Sequence, residues 1–135
     1  MMLLTKEIRK RLPPLYSTEK DPDPIIRVKF FNPCGAGTWY VLEGELSPDP
    51  DYPPGDYLFF GLCDIHEKEL GYFNLKELES VRLRFGLRIE RDLHFGEKPL
   101  SKVFPERYPL KPEAAQEPGT IGAEIETLLI GGPNG

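Results

Sequence analysis

Apolar positions alternate with polar ones over several short stretches of the chain, which is the pattern of half-buried strands. The five predicted strands are 25–31, 38–46, 57–63, 69–73 and 87–95. Short turns join the first strand to the second and the third to the fourth, so we expect antiparallel hairpins. The third strand, Tyr57–Cys63, is apolar almost throughout and is predicted to be the central strand, buried on both faces. Gly61 within it predicts a bulge or the close approach of a neighbouring backbone.

Two further segments have helical spacing. Thr5 is suited to cap a short helix that ends at Leu12, because two prolines follow directly. Asn74 and Glu77 have the spacing of a reciprocal capping box, so a second helix is expected over 75–85. Its apolar stripe is predicted to consist of Leu75, Leu78, Val81 and Phe85, with Gly86 ending the helix in the left-handed conformation.

These elements predict an α+β fold. The expected architecture is a single domain over residues 3–104, with a four- to five-stranded, mainly antiparallel sheet. The second helix packs on one face of the sheet, and the short N-terminal helix covers an edge or an end. Residues 105–135 are predicted to form a proline-rich arm followed by a short apolar segment, 120–130, which folds back on the domain or docks on another chain, either a second copy or a different partner.

The 135 residues include 15 prolines and 13 glycines, and this proline content is about twice the average. It disfavours long helical bundles, coiled coils and large parallel folds. The prolines all fall between the predicted elements or at their ends, with four of them in the acidic loop 47–56. They therefore stiffen connections, which is consistent with a heat-adapted source.

The sequence predicts a cytoplasmic protein that has no membrane partner. Only four apolar residues precede the first basic ones, so no signal peptide is predicted, and no apolar run is long enough to span a bilayer. Cys34 and Cys63 are too few for a disulfide framework, and they are expected to be reduced thiols.

The net charge of −5 is unevenly distributed. Residues 1–20 carry five basic and two acidic groups, residues 30–72 carry one basic and eight acidic groups, and residues 73–107 carry eight basic and six acidic groups. This pattern predicts a dipolar surface, or it reflects only the positions of solvated loops. An acidic face built from residues 43–69 that imitates DNA is one hypothesis that the pattern allows.

Candidate catalytic chemistry is confined to three residues. Glu43 and Glu45 are two apart on a predicted strand, so both should lie on the face that also carries Trp39 and Val41. With His66 they could form the site of a metal-dependent hydrolase. The alternative is that all three are ordinary solvated side chains. His66 lacks the second histidine of a zinc-protease motif, and no metal site is predicted.

No nucleotide-binding glycine motif or nucleophile motif occurs, so no cofactor is predicted. Basic residues instead suggest a surface for nucleic acid, with aromatic side chains available to stack on bases. The candidates are Lys6, Arg9, Lys10, Arg11, Arg82 and Arg88.

Several phrases occur in the order found in a known family. They are LLTKEIRKRLPPLYSTE (3–19), VKFFNP (28–33), TWY (38–40), DYLFFGL (56–62), ELGYFNLKELESVR (69–82) and GLRIERDLHF (86–95). On these phrases the chain resembles the bacterial family named domain of unknown function 2958. The resemblance implies a small accessory protein encoded on plasmids, phages or integrative elements, and it implies no catalytic residues. The acidic insertion at 47–55 and the tail after Phe104 depart from the family pattern.

The leading hypothesis for function is therefore a non-enzymatic binding or regulatory accessory protein of a mobile genetic element, acting on a protein partner. The first alternative is the metal-dependent hydrolase that would use Glu43, Glu45 and His66. The second alternative is a nucleic-acid-binding protein. A homodimer formed through the C-terminal segment is a further expectation.

Overall fold

A five-stranded antiparallel sheet forms the centre of the protein in a computed structural model that describes residues 1–51 and 54–107. The order of the strands is β5-β4-β3-β2-β6, so β3 is the middle strand and β4 lies beside it. The bounds are β1 Ile25–Ile26, β2 Val28–Phe31, β3 Thr38–Leu46, β4 Tyr57–Asp64, β5 Lys68–Asn74, β6 Glu90–Arg91 and β7 Lys98–Pro99. The helices are α1, Lys6–Arg11, and α2, Leu75–Ser80. The fold is α+β, as the sequence predicts.

The first predicted strand, 25–31, is divided in the structure. Its first two residues form β1, which pairs with β7 in a separate two-stranded sheet, while β2 joins the main sheet. The break falls at Arg27, whose backbone N–H donates to the carbonyl of Val41 at 2.8 Å. One continuous alternation in the sequence therefore serves two sheets.

The strand β4 is not the central one, and its burial alternates. Tyr57 and Phe59 are buried, whereas Leu58 and Phe60 are only half-buried. Gly61 confirms the close approach, because a Cβ placed there would lie 1.9 Å from the carbonyl oxygen of Tyr40. The bulge itself lies in the partner strand β3.

Both helices pack on one face of the sheet, which we call the helical face. The apolar cluster between them and the sheet includes Ile8 from α1, Leu12 at the C-cap of α1, Leu78 from α2, and Phe59 from β4. Leu12 also lies against Gly44 of the middle strand, so α1 covers the face of the sheet and not an edge or end. The other face, which we call the connector face, is described with the site below.

The helix α1 begins as predicted. Thr5 is its N-cap, and the hydroxyl oxygen of Thr5 accepts a hydrogen bond from the backbone N–H of Ile8 at 3.2 Å. The predicted capping box of α2 is wrong, although Asn74 does occupy the N-cap position. The buried carboxylate of Asp56 anchors this helix instead, because it accepts from the Lys76 backbone N–H at 2.9 Å and from Asn74 Nδ2 at 2.6 Å.

The helix α2 is also shorter than predicted, since it ends at Ser80 and not at 85. The Ser80 hydroxyl donates to the carbonyl of Glu77 at 2.7 Å, which is a local alternative to continuing the helix. The predicted strand 87–95 likewise contracts to β6. Asp92 ends it with a turn, because its carboxylate and carbonyl accept from the backbone N–H groups of His94 and Phe95.

The described elements all belong to one compact unit, Met1–Phe104. The predicted apolar segment 120–130 and most of the predicted arm lie outside the described residues. Within the described residues, no helix has the length and apolar character needed to cross a membrane.

Candidate interaction surface

The two predicted catalytic carboxylates lie on the connector face of the sheet. A β-bulge between Val41 and Glu43 shifts the register of β3, so Glu43 pairs with Phe60 and Glu45 pairs with Leu58. Residues directly opposite each other in a ladder share a face. The prediction that both glutamates lie beside Trp39 and Val41 is therefore wrong, because those two residues pack on the helical face.

Both carboxylates bind the segment that links α1 to β1, here called the connector (residues 13–24). The Glu43 carboxylate accepts from the backbone N–H of Tyr16 at 2.8 Å, from the backbone N–H of Thr18 at 2.9 Å and from the Thr18 hydroxyl. Glu45 accepts from the backbone N–H of Leu15 at 2.9 Å. Glu43 is only 2% exposed. These contacts give both side chains a structural role.

His66 is not brought to the glutamates. It lies exposed in the turn between β4 and β5, beyond Asp64, whereas Glu43 lies opposite Phe60. Asp64 and Phe60 are four residues apart along β4, which corresponds to about 13 Å of strand. Among residues 1–51 and 54–107, no group of three or more His, Cys, Asp or Glu side chains is arranged to hold a metal ion.

The predicted acidic face also loses two of its members to the interior. Glu43 and Asp56 are both buried, and each accepts hydrogen bonds from backbone N–H groups. Their charges anchor the connector and α2, so they do not contribute to an exposed acidic surface.

The four basic residues of α1 are exposed, and two of them are engaged. The Arg11 guanidinium pairs with the Glu97 carboxylate, with Nε 3.3 Å from Oε2. The Arg9 guanidinium lies 4.9 Å from the centre of the Tyr57 ring. Lys6 and Lys10 extend the basic surface of the same helix.

Arg82 and Arg88 come together at one backbone oxygen. Arg82 Nη1 and Arg88 Nη2 donate to the carbonyl of Glu79 at 3.0 and 3.1 Å. The ion pairs within the described part of the chain involve neither of them, nor the exposed Arg84. Two adjacent guanidinium groups therefore lie at the end of α2 with no carboxylate between them.

The residues between these arginines form a small closed loop. The backbone N–H of Leu83 donates to the carbonyl of Leu87 at 2.9 Å, and the N–H of Leu87 donates to the carbonyl of Arg84 at 3.1 Å. Phe85 lies at the tip in a left-handed conformation, with φ of 60°, and is 92% exposed. We call residues 82–88 the arginine–phenylalanine loop.

The exposure of Phe85 contradicts the sequence prediction, which placed this residue on the buried stripe of a helix extending to 85. The helix ends five residues earlier, so Phe85 no longer falls on its apolar side. A signal was present in the sequence, because three arginines surround Phe85 at positions 82, 84 and 88, and a buried stripe rarely lies among so many charges.

Residues 3–106 match the sequence profile of a family described as "Protein of unknown function (DUF2958)". This match covers well over half of the chain. The chain belongs to the DUF2958 family. Comparisons with curated proteins and with solved structures find no match.

In this DUF2958 protein a cleft of about 500 Å³ lies beside the arginine–phenylalanine loop. Its lining comes from the N-terminal segment, α2 and the loop itself, and includes Met1, Leu3, Leu78, Glu79, Leu87 and Arg88. Arg91 positions the N-terminal segment here, because its guanidinium donates to the carbonyls of Met2 and Leu3. The arginine–phenylalanine loop therefore forms one side of this cleft.

The side chains of Cys63 and Tyr72 in the main sheet of this DUF2958 protein have raised pKa values, and neither lines the cleft. Burial raises the pKa of the Cys63 thiol to about 11, and the nearby Glu69 carboxylate adds to this increase. The pKa of Tyr72 on the connector face is also raised, first by desolvation and then by its hydrogen bond with Tyr16. Both groups hold their protons at neutral pH, so neither offers a base or a nucleophile there.

Proposed function

We propose that the protein is a non-enzymatic binding or regulatory accessory protein of a mobile genetic element, and that it binds its partner through the arginine–phenylalanine loop. The observation that carries the proposal is the Phe85 side chain, which is 92% exposed at the tip of a backbone-closed loop. A left-handed conformation at a non-glycine residue costs free energy. The Phe85 ring buries almost no surface within the fold, so we infer that it packs against a binding partner.

The hydrolase alternative has less support. It needs Glu43, Glu45 and His66 in one site, but both carboxylates accept hydrogen bonds from connector backbone N–H groups, and His66 lies in a distant turn. These hydrogen bonds occupy carboxylate oxygens that a general base or a metal ligand would have to offer to a substrate or an ion.

The mobile-element part of the proposal is supported by the family resemblance, which implies accessory proteins of plasmids, phages and integrative elements. Genetic context tests it directly. We expect the gene to lie among genes for replication, transfer or integration, and a location among housekeeping genes in every genome that encodes a close homologue would contradict it.

Site-specific photocrosslinking tests the binding surface. A benzophenone amino acid replaces Phe85 in the full chain, and cells are irradiated before denaturing purification. We expect a discrete adduct whose mass identifies a protein or a nucleic acid. The matched control carries the same amino acid at Leu46, which is also exposed but lies at the end of β3. Equal adduct formation at both positions, or none at 85, would overturn the proposed surface.

The predicted homodimer is a separate matter, since it depends on residues outside the described ones. Sedimentation of the full chain measures it. A dimer that is retained after Phe85→Ala would place self-association away from the loop.

A further inference from the structure

The paired guanidinium groups of Arg82 and Arg88 form a cationic site that lacks an anion. Both donate to the single carbonyl oxygen of Glu79, at 3.0 and 3.1 Å, so their positive charges are held side by side. Neighbouring like charges repel, and an anion placed against both relieves this repulsion. Each guanidinium retains further N–H donors in a planar fork, which is the geometry that matches phosphate oxygens.

The charge around the loop has the same sign. Residues 82–91 contain four arginines and one glutamate, and Arg91 is already occupied in holding the N-terminal segment. The basic helix α1 packs on the same face of the sheet as α2, which leads into the loop. The net negative charge of the chain arises mainly from residues 30–72, whereas α1 carries four basic groups and one acidic group.

Phe85 adds a second kind of contact to this cationic site. The ring lies at the tip of the loop, between Arg84 and Gly86, and it makes no ring–ring contact within residues 1–51 and 54–107. An aromatic ring beside arginines is the combination that binds a nucleobase by stacking while phosphates bind the cations. A base in a duplex is already stacked on both sides, whereas a base in a single strand has faces that are free to stack on a ring.

We infer that the arginine–phenylalanine loop binds single-stranded nucleic acid, with a backbone phosphate on Arg82 and Arg88 and a neighbouring base stacked on Phe85. This inference rests on the proposed function, because it names the partner of the same surface. A protein partner is the less favoured occupant, since an apolar contact surface does not require two guanidinium groups held together without a carboxylate.

Fluorescence anisotropy tests the inference with labelled oligo(dT), oligo(U) and a duplex of equal length, each over a range of salt concentrations. We expect the full chain to bind one or both single strands more tightly than the duplex. The dT and U arms separate DNA from RNA as the natural ligand. Phe85→Ala should weaken single-strand binding about tenfold, as loss of one stacked base does, with little change in salt dependence.

The double variant Arg82→Gln/Arg88→Gln should affect the other half of the site. Loss of this one phosphate contact on a single strand should lower the slope of log affinity against log salt by about 0.7. Lys20→Gln is the matched control, since Lys20 is exposed on the connector and its removal also deletes a charge. Circular dichroism confirms that each variant is folded.

Three outcomes would overturn the inference. One is the absence of oligonucleotide binding at low salt, and another is binding that neither the Phe85 nor the arginine variants weaken. The third is equal affinity for heparin and oligo(dT) with no effect of Phe85→Ala, which would indicate charge attraction alone. A protein adduct at position 85 without nucleic-acid binding would refute this inference and leave the proposed function intact, whereas the absence of any adduct would refute both.

Discussion

Within residues 1–51 and 54–107, two aromatic residues adopt the left-handed backbone conformation, and the surroundings of the two differ. Tyr16, with φ of 70°, lies in the connector, and its backbone N–H donates to the buried carboxylate of Glu43. Its ring lies 6.4 Å from the ring of Tyr72. Phe85, with φ of 60°, is 92% exposed, and its ring makes no ring–ring contact within the described residues. The fold explains the strain at Tyr16 and leaves the strain at Phe85 to be explained by function.

Structural and functional candidates differ in whether the fold itself uses their polar and aromatic groups. The sequence drew attention to Glu43 and Glu45 because they are carboxylates at a suggestive spacing, yet their oxygen atoms accept hydrogen bonds that fix the connector. The arginine–phenylalanine loop was less conspicuous in the sequence, but its charged and aromatic groups remain exposed. Groups that the interior does not use are the better candidates for binding.

The largest effect is expected where the connector is anchored. Glu43→Ala removes a buried acceptor of three hydrogen bonds and should lower the free energy of unfolding by about 3 kcal/mol. Glu45→Ala, which loses one bond at a half-buried site, should cost about 1 kcal/mol. Urea unfolding followed by circular dichroism measures both. Equal costs for the two variants would contradict the anchoring role of Glu43.

A somewhat smaller effect is expected at the start of α2, which leads into the arginine–phenylalanine loop. Asp56→Ala should cost about 2 kcal/mol, because it leaves the backbone N–H groups of Tyr57 and Lys76 and the Asn74 side chain without their acceptor. Glu77→Ala should cost less than about 0.5 kcal/mol, since the capping box does not form. The same urea titration measures both losses of stability. A larger loss for Glu77→Ala than for Asp56→Ala would indicate that the capping box does form.

Glycine substitutions compare the two left-handed residues directly. Phe85→Gly relieves backbone strain and loses no ring contact, while the greater freedom of glycine in the unfolded chain offsets the gain, so stability should change by less than about 0.5 kcal/mol. Tyr16→Gly also loses the ring contact with Tyr72 and should cost about 1 kcal/mol. Thermal melts check this pair. A marked loss at Phe85→Gly would show that the interior does use that ring.

The smallest effect is a difference in titration. The pKa of Tyr72 is raised by desolvation and by the Tyr16 hydrogen bond, so the native protein keeps this proton after an unfolded chain has released it. The contribution of Tyr72 to stability should therefore be unchanged below pH 10 and be lost as the pH rises further. Ultraviolet titration of the folded protein checks the raised pKa of Tyr72. The variant Phe85→Tyr supplies the reference, because it adds an exposed phenol that should ionise near its ordinary pKa of about 10. A phenol at 85 that titrates above Tyr72 would contradict the contrast between the two regions.

Much of the sheet could be predicted because a strand with one buried face and one more exposed face carries alternating apolar and polar residues in its sequence. The strands β3, β4 and β5 and the cap of α1 at Thr5 follow the predicted positions closely. The strand expected over 87–95 is wrong because alternation alone does not supply a partner strand. Only Glu90 and Arg91 pair with β2, and Leu93 lies exposed within the turn that Asp92 begins.

The sites were harder to predict because they depend on distant residues. Nothing near Asn74 in the sequence indicates that Asp56, eighteen residues earlier, anchors the helix. The faces of Glu43 and Glu45 depend on a bulge that the alternating sequence of β3 does not reveal. Long-range hydrogen bonds and register shifts are properties of the assembled sheet, so reasoning from local spacing does not recover them.

The bulge in β3 has a consequence for comparing family members of different length. Leu42 behaves as one residue inserted into an otherwise regular ladder, since Val41 pairs with Gly61 and Glu43 pairs with Phe60. A homologue that lacks this residue keeps both glutamates directed at the connector. A change of length between Glu43 and Glu45 instead reverses the parity of the strand beyond it and directs one carboxylate at the apolar cluster. In an alignment of the family, a gap in this strand therefore belongs at Leu42.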